Sequence, residues 1–167
     1  FKKGHVPNAI NIMEGGKFET WLGSIIDPRE RFYLIAQDVE TLESVVHKAA
    51  KIGYETHILG AMVYNSDFAG AEMERLDVAK FGAATTDFTI VDIRNASEFA
   101  EGKFFENAIN IPLPELRERT AEIPTHQPIV VHCAGGYRSA AGSSIVAAAV
   151  GTQTPVFDLS EAIEDFK

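Results

Sequence analysis

The chain has 167 residues, 46% of them apolar, one cysteine and a net charge of −9. This acidic balance excludes the basic face that nucleic acid or an anionic membrane surface requires. The single cysteine excludes an intrachain disulfide and fits a reducing, cytoplasmic compartment.

At about 100–150 residues per domain the length suits one domain or two small ones. The opening residues FKKGHVPNAI hold no apolar leader, and the chain starts without methionine, as if inside a longer protein. The apolar stretch Ile145 to Val150 is far shorter than the about 20 residues that cross a bilayer. In chain order, AINI (Ala9–Ile12) and FYLIA (Phe32–Ala36) read as strand. VETLESVVHKAAKIG (Val39–Gly53) reads as an amphipathic helix with Gly53 at its end, and THIL (Thr56–Leu59) as strand. From Asn65 to about Thr86 a connecting region holds a predicted helix, AEMERLDVAKFG, ended by Gly82.

FTIVDIR (Phe88–Arg94) is a β-branched, apolar run and hence a strand. Asn95 or Ser97 caps a short helix that Gly102 ends. AINIPL (Ala108–Leu113) is a second strand, stopped by Pro112 and Pro114, and ELRERTAEI (Glu115–Ile123) has helical charge spacing. PIVVH (Pro128–His132) is a continuous apolar strand, the pattern of burial on both faces. A helix from Arg138 to Val150 and a strand TPVFDL (Thr154–Leu159) complete the chain. Short strands alternating with helices predict an α/β fold with a mainly parallel sheet.

The chain repeats itself. NAINI occurs at Asn8–Ile12 and again at Asn107–Ile111, and AAKIGYETHIL (Ala49–Leu59) parallels AAAVGTQTPVF (Ala147–Phe157) at nearly the same spacing. Two landmarks in register predict a duplicated unit, the first copy lacking the counterparts of Phe88 to about Gly102. The predicted organisation is a partial unit over 1–64, a linker over 65–75 and a full unit over 76–167.

VVHCAGGYRSAAG carries the chemistry. A buried strand ending at a loop that opens a helix is the usual place for a site in an α/β sheet. Gly135 and Gly136 can both take positive φ, which turns successive backbone N–H groups inward as an anion-binding nest. The helix N-terminus behind adds unpaired donors and a positive dipole end, and Arg138 adds a fixed cationic fork. Such a loop favours an anionic sulfur on Cys133. A cysteine packed as a small hydrophobe is the bland alternative; the paired glycines and Arg138 weigh against it. Ser139 fits a helix cap, His132 a packed strand-end residue, and Asp92 with Arg94 a structural ion pair. Tyr137 fits either a solvent-facing gate or the core.

HCAGGYRSAAG resembles the active-site loop of rhodanese sulfurtransferases. VDIRNASEFAEG followed by NAINIPL resembles the opening of the same domain, with Asp92, Arg94, Glu98 and Phe99 in the family's places. GHVPNAINI (Gly4–Ile12) resembles it too, and GGKFETWLGSIIDP (Gly15–Pro28) with the tandem order is similar to the C-terminal half of metallo-β-lactamase/rhodanese fusions that act as persulfide dioxygenases or related sulfide-metabolism enzymes. The resemblance implies two rhodanese-like domains, each a mainly parallel sheet flanked by helices, the first N-terminally incomplete and without a cysteine. It implies a persulfide on Cys133, formed from thiosulfate or a low-molecular-weight persulfide and passed to a thiol or cyanide. The amides of Ala134, Gly135, Gly136, Tyr137, Arg138 and Ser139 would hold the sulfur, with Asp92 and Arg94 in support.

No cofactor or metal is implied in this chain, whose five histidines are scattered; an iron site would lie in an upstream metallo-β-lactamase-like domain, the possible partner. Where the family has Gly-His-Ile-Pro-Gly this chain has GKFFEN (Gly102–Asn107), and LSEAI (Leu159–Ile163) replaces a Gly-Gly-aromatic segment. Arg138 either orients an anionic donor or braces the loop through Asp92 or a carbonyl. Two rival readings remain: a persulfide-carrier or interaction module, and a cysteine phosphatase or arsenate reductase. The latter enzymes need one more residue between cysteine and arginine than the four here, because a tetrahedral oxyanion needs a wider cradle than one sulfur atom.

Overall fold

A computed structural model describes the whole chain, Phe1 to Lys167. Two compact units emerge, Ile12–Ala69 and a second built from Phe1–Asn11 with Gly70–Lys167.

In the first unit, helix α1 (Phe18–Ile25) leads to strand β1 (Phe32–Ala36), helix α2 (Val39–Lys51) and strand β2 (Ile58–Val63). The Asp38 carboxylate starts α2 by accepting the Thr41 N–H at 2.7 Å. Beyond the helix Gly53 takes φ +82°, where a side chain would be strained. β1 and β2 pair in parallel, from Phe32 opposite Ile58 to Ala36 opposite Val63. The strand expected at Thr56–Leu59 begins later, at Ile58, because Glu55–His57 form a 3₁₀ turn. The expected strand at Ala9–Ile12 does not form.

The second unit contains α3 (Val78–Ala83), β3 (Thr89–Asp92), α4 (Ala96–Glu101), β4 (Ile109–Asn110), α5 (Leu116–Arg119), β5 (Ile129–His132), α6 (Tyr137–Val150) and β6 (Val156–Asp158). Its sheet has the order β4-β3-β5-β6, and every pairing is parallel. β3 (TIVD) and β5 (IVVH) are buried at every position, which is why neither alternates apolar with polar residues and Asp92 and His132 fall only at the strand ends. One core cluster joins Phe81 of α3 with Phe88, Ile90, Phe105, Val130, Leu159 and Ile163. Burying one such phenylalanine or isoleucine contributes about 1.5–3 kcal/mol. α6 lies close enough to the sheet that a Cβ on Gly142 would sit 2.6 Å from Ile93 Cδ1.

Three further expectations need correction. The helix predicted over Ala71–Gly82 shrinks to α3, because Ala71 and Met73 are drawn into backbone contacts with the N-terminal segment. The helix predicted over Glu115–Ile123 is reduced to α5, with 3₁₀ turns on either side. Phe1–Asn11, grouped by the repeat with residues 12–64, packs instead with residues 70–167. It is held there by the His5 N–H on the Ala71 carbonyl (2.9 Å), by Lys2 on Asp158 (3.0 Å) and by the Asn11 N–H on Ser144 Oγ (2.9 Å). The order helix, strand, helix, parallel strand nevertheless occurs twice, as α1-β1-α2-β2 and as α5-β5-α6-β6.

Candidate active site

β5 ends at His132, and the next four residues, Cys133 to Gly136, turn the chain into α6. Cys133 is 1% exposed. Its sulfur accepts the Gly136 N–H at 3.2 Å, so the loop closes on the thiol. Gly136 has φ +90°, and a Cβ there would meet the backbone of Ser160 at 2.8 Å and of Glu161 at 2.9 Å. Only glycine fits both conditions. Gly135, expected to share the positive φ, does not take it and lies exposed. The conformational demand therefore falls on Gly136 alone.

Ser139, expected as a cap, sits inside α6 and donates its hydroxyl to the Gly136 carbonyl at 3.0 Å, fully buried. It pins the last residue of the loop. Tyr137 and Ala134 are half-buried.

Arg138 pairs with Glu98. Its two terminal nitrogens donate to the two oxygens of Glu98, at 2.6 and 2.7 Å, in a bidentate pair. The Arg138 guanidinium is held protonated chiefly by Glu98, with the nearby Cys133 adding to the effect. Glu98 accepts the Asn95 N–H at 3.0 Å, so it closes the first turn of α4 as well. The Arg138 guanidinium, with the Asn95 N–H and despite some burial, holds the Glu98 carboxyl down at about 2. The sequence signal for this partner was the glutamate three residues after Asn95, a capping-box spacing.

Asp92 and Arg94 form a buried pair, with Arg94 NH2 donating to Asp92 Oδ2 at 2.7 Å and to the Gly102 carbonyl at 2.8 Å. The Arg94 guanidinium lies over the Phe104 ring at 4.0 Å. Asn110 ties the carbonyls of Asp92 and Arg94 together at 2.9 Å each. This set fixes the end of β3 and leaves Arg94 fully engaged. His132 is completely buried beside it, its Nε2 3.8 Å from Asp92 Oδ2 and its ring edge-on to Phe105 at 5.1 Å. Neither of its ring nitrogens makes a well-formed hydrogen bond. Burial pushes the imidazole pKa down, opposed in part by Asp92 and the Cys133 backbone. The phenylalanines of GKFFEN thus wall the histidine beneath the loop.

On the far side, the Asp158 carboxylate accepts the Ser160 N–H at 2.9 Å, the Ser160 hydroxyl at 2.5 Å and Lys2 Nζ at 3.0 Å. These contacts hold Ser160 at φ +52°, against Gly136. Sequence reasoning missed Lys2 and Asp158, which lie at opposite ends of the chain. No group of three or more His, Cys, Asp or Glu side chains is placed to hold a metal ion, and no helix is long and apolar enough to cross a membrane. In the first unit, β1 passes to α2 through Gln37 and Asp38 alone, with no cysteine.

Residues 76–167 match the family described as the Rhodanese-like domain. Among curated proteins, the HTH-type transcriptional regulator Rv0324 of Mycobacterium tuberculosis is 30% identical over 122 residues, covering 69% of this chain and 52% of that protein. A sulfurtransferase of Allochromatium vinosum is 37% identical over 57 residues, covering 34% of this chain and 52% of its own length. The chain spans about half the length of the curated relatives it matches. A rhodanese-related protein from Thermoplasma volcanium is similar in structure, with a TM-score of 0.47 and 25% identity over 56% of this chain and 89% of that one.

Proposed function

Because the chain belongs to the rhodanese-like family through residues 76–167, we propose that it is a sulfurtransferase that carries sulfur on Cys133. The observation that supports this most directly is the Gly136 N–H on the Cys133 sulfur, in a loop held from outside by Ser160 and Glu98. A sulfurtransferase also stands among its relatives. The Cys133 thiolate attacks the outer sulfur of a donor. With a persulfide, R–S–SH, the S–S bond breaks, RS⁻ leaves, and Cys133 becomes a persulfide. With thiosulfate, sulfite leaves. An acceptor thiolate then attacks the outer sulfur of the Cys133 persulfide and regenerates the Cys133 thiolate, a double displacement. The Gly136 amide, with the other amides from Ala134 to Ser139, holds the anionic sulfur. Asp92 and Arg94 support the site by fixing the strand end beside His132.

The test is mass spectrometry of the chain after treatment with thiosulfate or cysteine persulfide. Gain of one sulfur atom on Cys133, lost in Cys133→Ala, supports the reading; no gain with either donor sinks it. The near-complete burial of Cys133 favours a second reading, a persulfide carrier that hands sulfur to a partner protein. Steady-state turnover with small thiol acceptors separates the two, since a carrier loads but turns over poorly.

A further inference from the structure

The cations held around the Cys133 loop are matched by carboxylates. Arg138 gives both terminal nitrogens to Glu98, Arg94 is closed on Asp92, and Lys2 is closed on Asp158. The Glu98 pair is built in rather than incidental. Glu98 is tethered to the first turn of α4 through the Asn95 N–H, and Arg138 stands in the first turn of α6. The Arg138 fork, five residues beyond Cys133, is therefore already filled by a carboxylate, and the chain as a whole carries a charge of −9.

Donors differ in what they ask of this surface. Thiosulfate is a dianion and must place a sulfonate beside a nucleophile that is itself anionic. A persulfide asks only that one sulfur atom be seated. We propose that Glu98 is a specificity-determining residue that selects persulfide donors over thiosulfate by occupying the guanidinium of Arg138. This rests on the sulfur-transfer reading of Cys133. In the favoured reaction Cys133–S⁻ and R–S–SH give Cys133–S–SH and RS⁻; in the disfavoured one Cys133–S⁻ and thiosulfate give Cys133–S–S⁻ and sulfite. Each forms one S–S bond and breaks one, with no added oxidant or reductant. Like charges screen with a length of about 8–10 Å at ordinary ionic strength, so the repulsion of thiosulfate is a salt-sensitive barrier.

The experiment measures loading of Cys133 by cysteine persulfide and by thiosulfate in the wild-type chain and in Glu98→Gln. The ratio of kcat/KM for thiosulfate to that for cysteine persulfide rises about tenfold or more in Glu98→Gln, carried by a lower KM for thiosulfate, because the released fork can take the sulfonate. In the wild type, raising salt speeds thiosulfate loading more than persulfide loading; this arm needs no substitution and stands if the variant misfolds. A ratio that is unchanged or falls in a folded Glu98→Gln chain overturns the proposal, as does a wild-type thiosulfate rate that salt slows or leaves alone. Failure of both donors to load wild-type Cys133 overturns the sulfur-transfer reading itself.

Discussion

Gly136 and Ser160 meet backbone to backbone: a Cβ added to Gly136 would lie 2.8 Å from the Ser160 carbonyl carbon. The loop that points an N–H at the Cys133 sulfur is thus backed by a main-chain segment that cannot yield like a flexible side chain. Gly136→Ala adds the left-handed strain of φ +90° to this clash. We expect a loss of about 1–3 kcal/mol in stability, read as a lower urea midpoint. Iodoacetamide should also alkylate Cys133 at a changed rate once the Gly136 amide is displaced. An unaltered midpoint and alkylation rate would show that the contact is dispensable.

Lys2 bears on the same contact from a distance. Its ammonium is the cation on the Asp158 carboxylate, whose side chain is 1% exposed, while Lys2 itself keeps some solvent access. Lys2→Met leaves that carboxylate with only the Ser160 N–H and hydroxyl. A cost of about 1–2 kcal/mol is expected, below that of a fully buried pair because solvent still reaches the site. Lys2→Arg should recover most of it. Chemical denaturation of the three chains side by side is the measurement, and equal stabilities would refute the role of Lys2.

Acid should dissolve the Glu98–Arg138 pair late. The folded carboxyl pKa is lowered from 4.5 to about 2, so its contribution is complete above 4.5 and is lost as pH falls toward 2. The stability difference between wild type and Glu98→Gln is therefore flat from neutrality down to about 4.5 and shrinks below it. Denaturant midpoints across that range give the answer; a difference that already shrinks near neutrality contradicts the assignment.

His132 titrates in the opposite setting, a base kept neutral by burial. Because its folded pKa is lowered from 6.5, the unfolded chain takes up the proton first as pH falls. Its contribution to stability is present above 6.5 and declines as pH drops below that value. His132→Leu should flatten this part of the stability profile. An identical slope in both chains would mean that the imidazole is protonated in the fold.

The sheet of the Cys133 unit was legible because burial on both faces writes itself as unbroken apolar runs. β3 and β5 fall inside FTIVDIR and PIVVH, and the start of α4 was narrowed by residue type to Asn95 or Ser97, of which the fold takes Asn95. Local pattern failed where long-range contacts decide. Residues 71–77 have helical composition, yet Ala71 and Met73 bond to His5 and Lys2 and stay extended or irregular. NAINI reads alike in both places, but only Ile109 and Asn110 find a neighbouring strand, β3, to pair with. The site shows the same division. Cys133 and Gly136 announce themselves; Glu98 shows only its capping-box spacing from Asn95, and its pairing with Arg138, forty positions away, emerges only from the fold.

The short passage from β1 to α2 limits what a single substitution can install there. A thiol introduced at Ala36 by one substitution would meet only Gln37 and Asp38 before the helix, two residues where three follow Cys133. The Asp38 carboxylate already takes the Thr41 amide and would repel an anionic sulfur. Building a sulfur-carrying turn there requires a cysteine, one inserted residue and the loss of an acid, and no single one of these changes supplies it. A second sulfur-carrying turn in this chain is therefore out of reach of any single substitution.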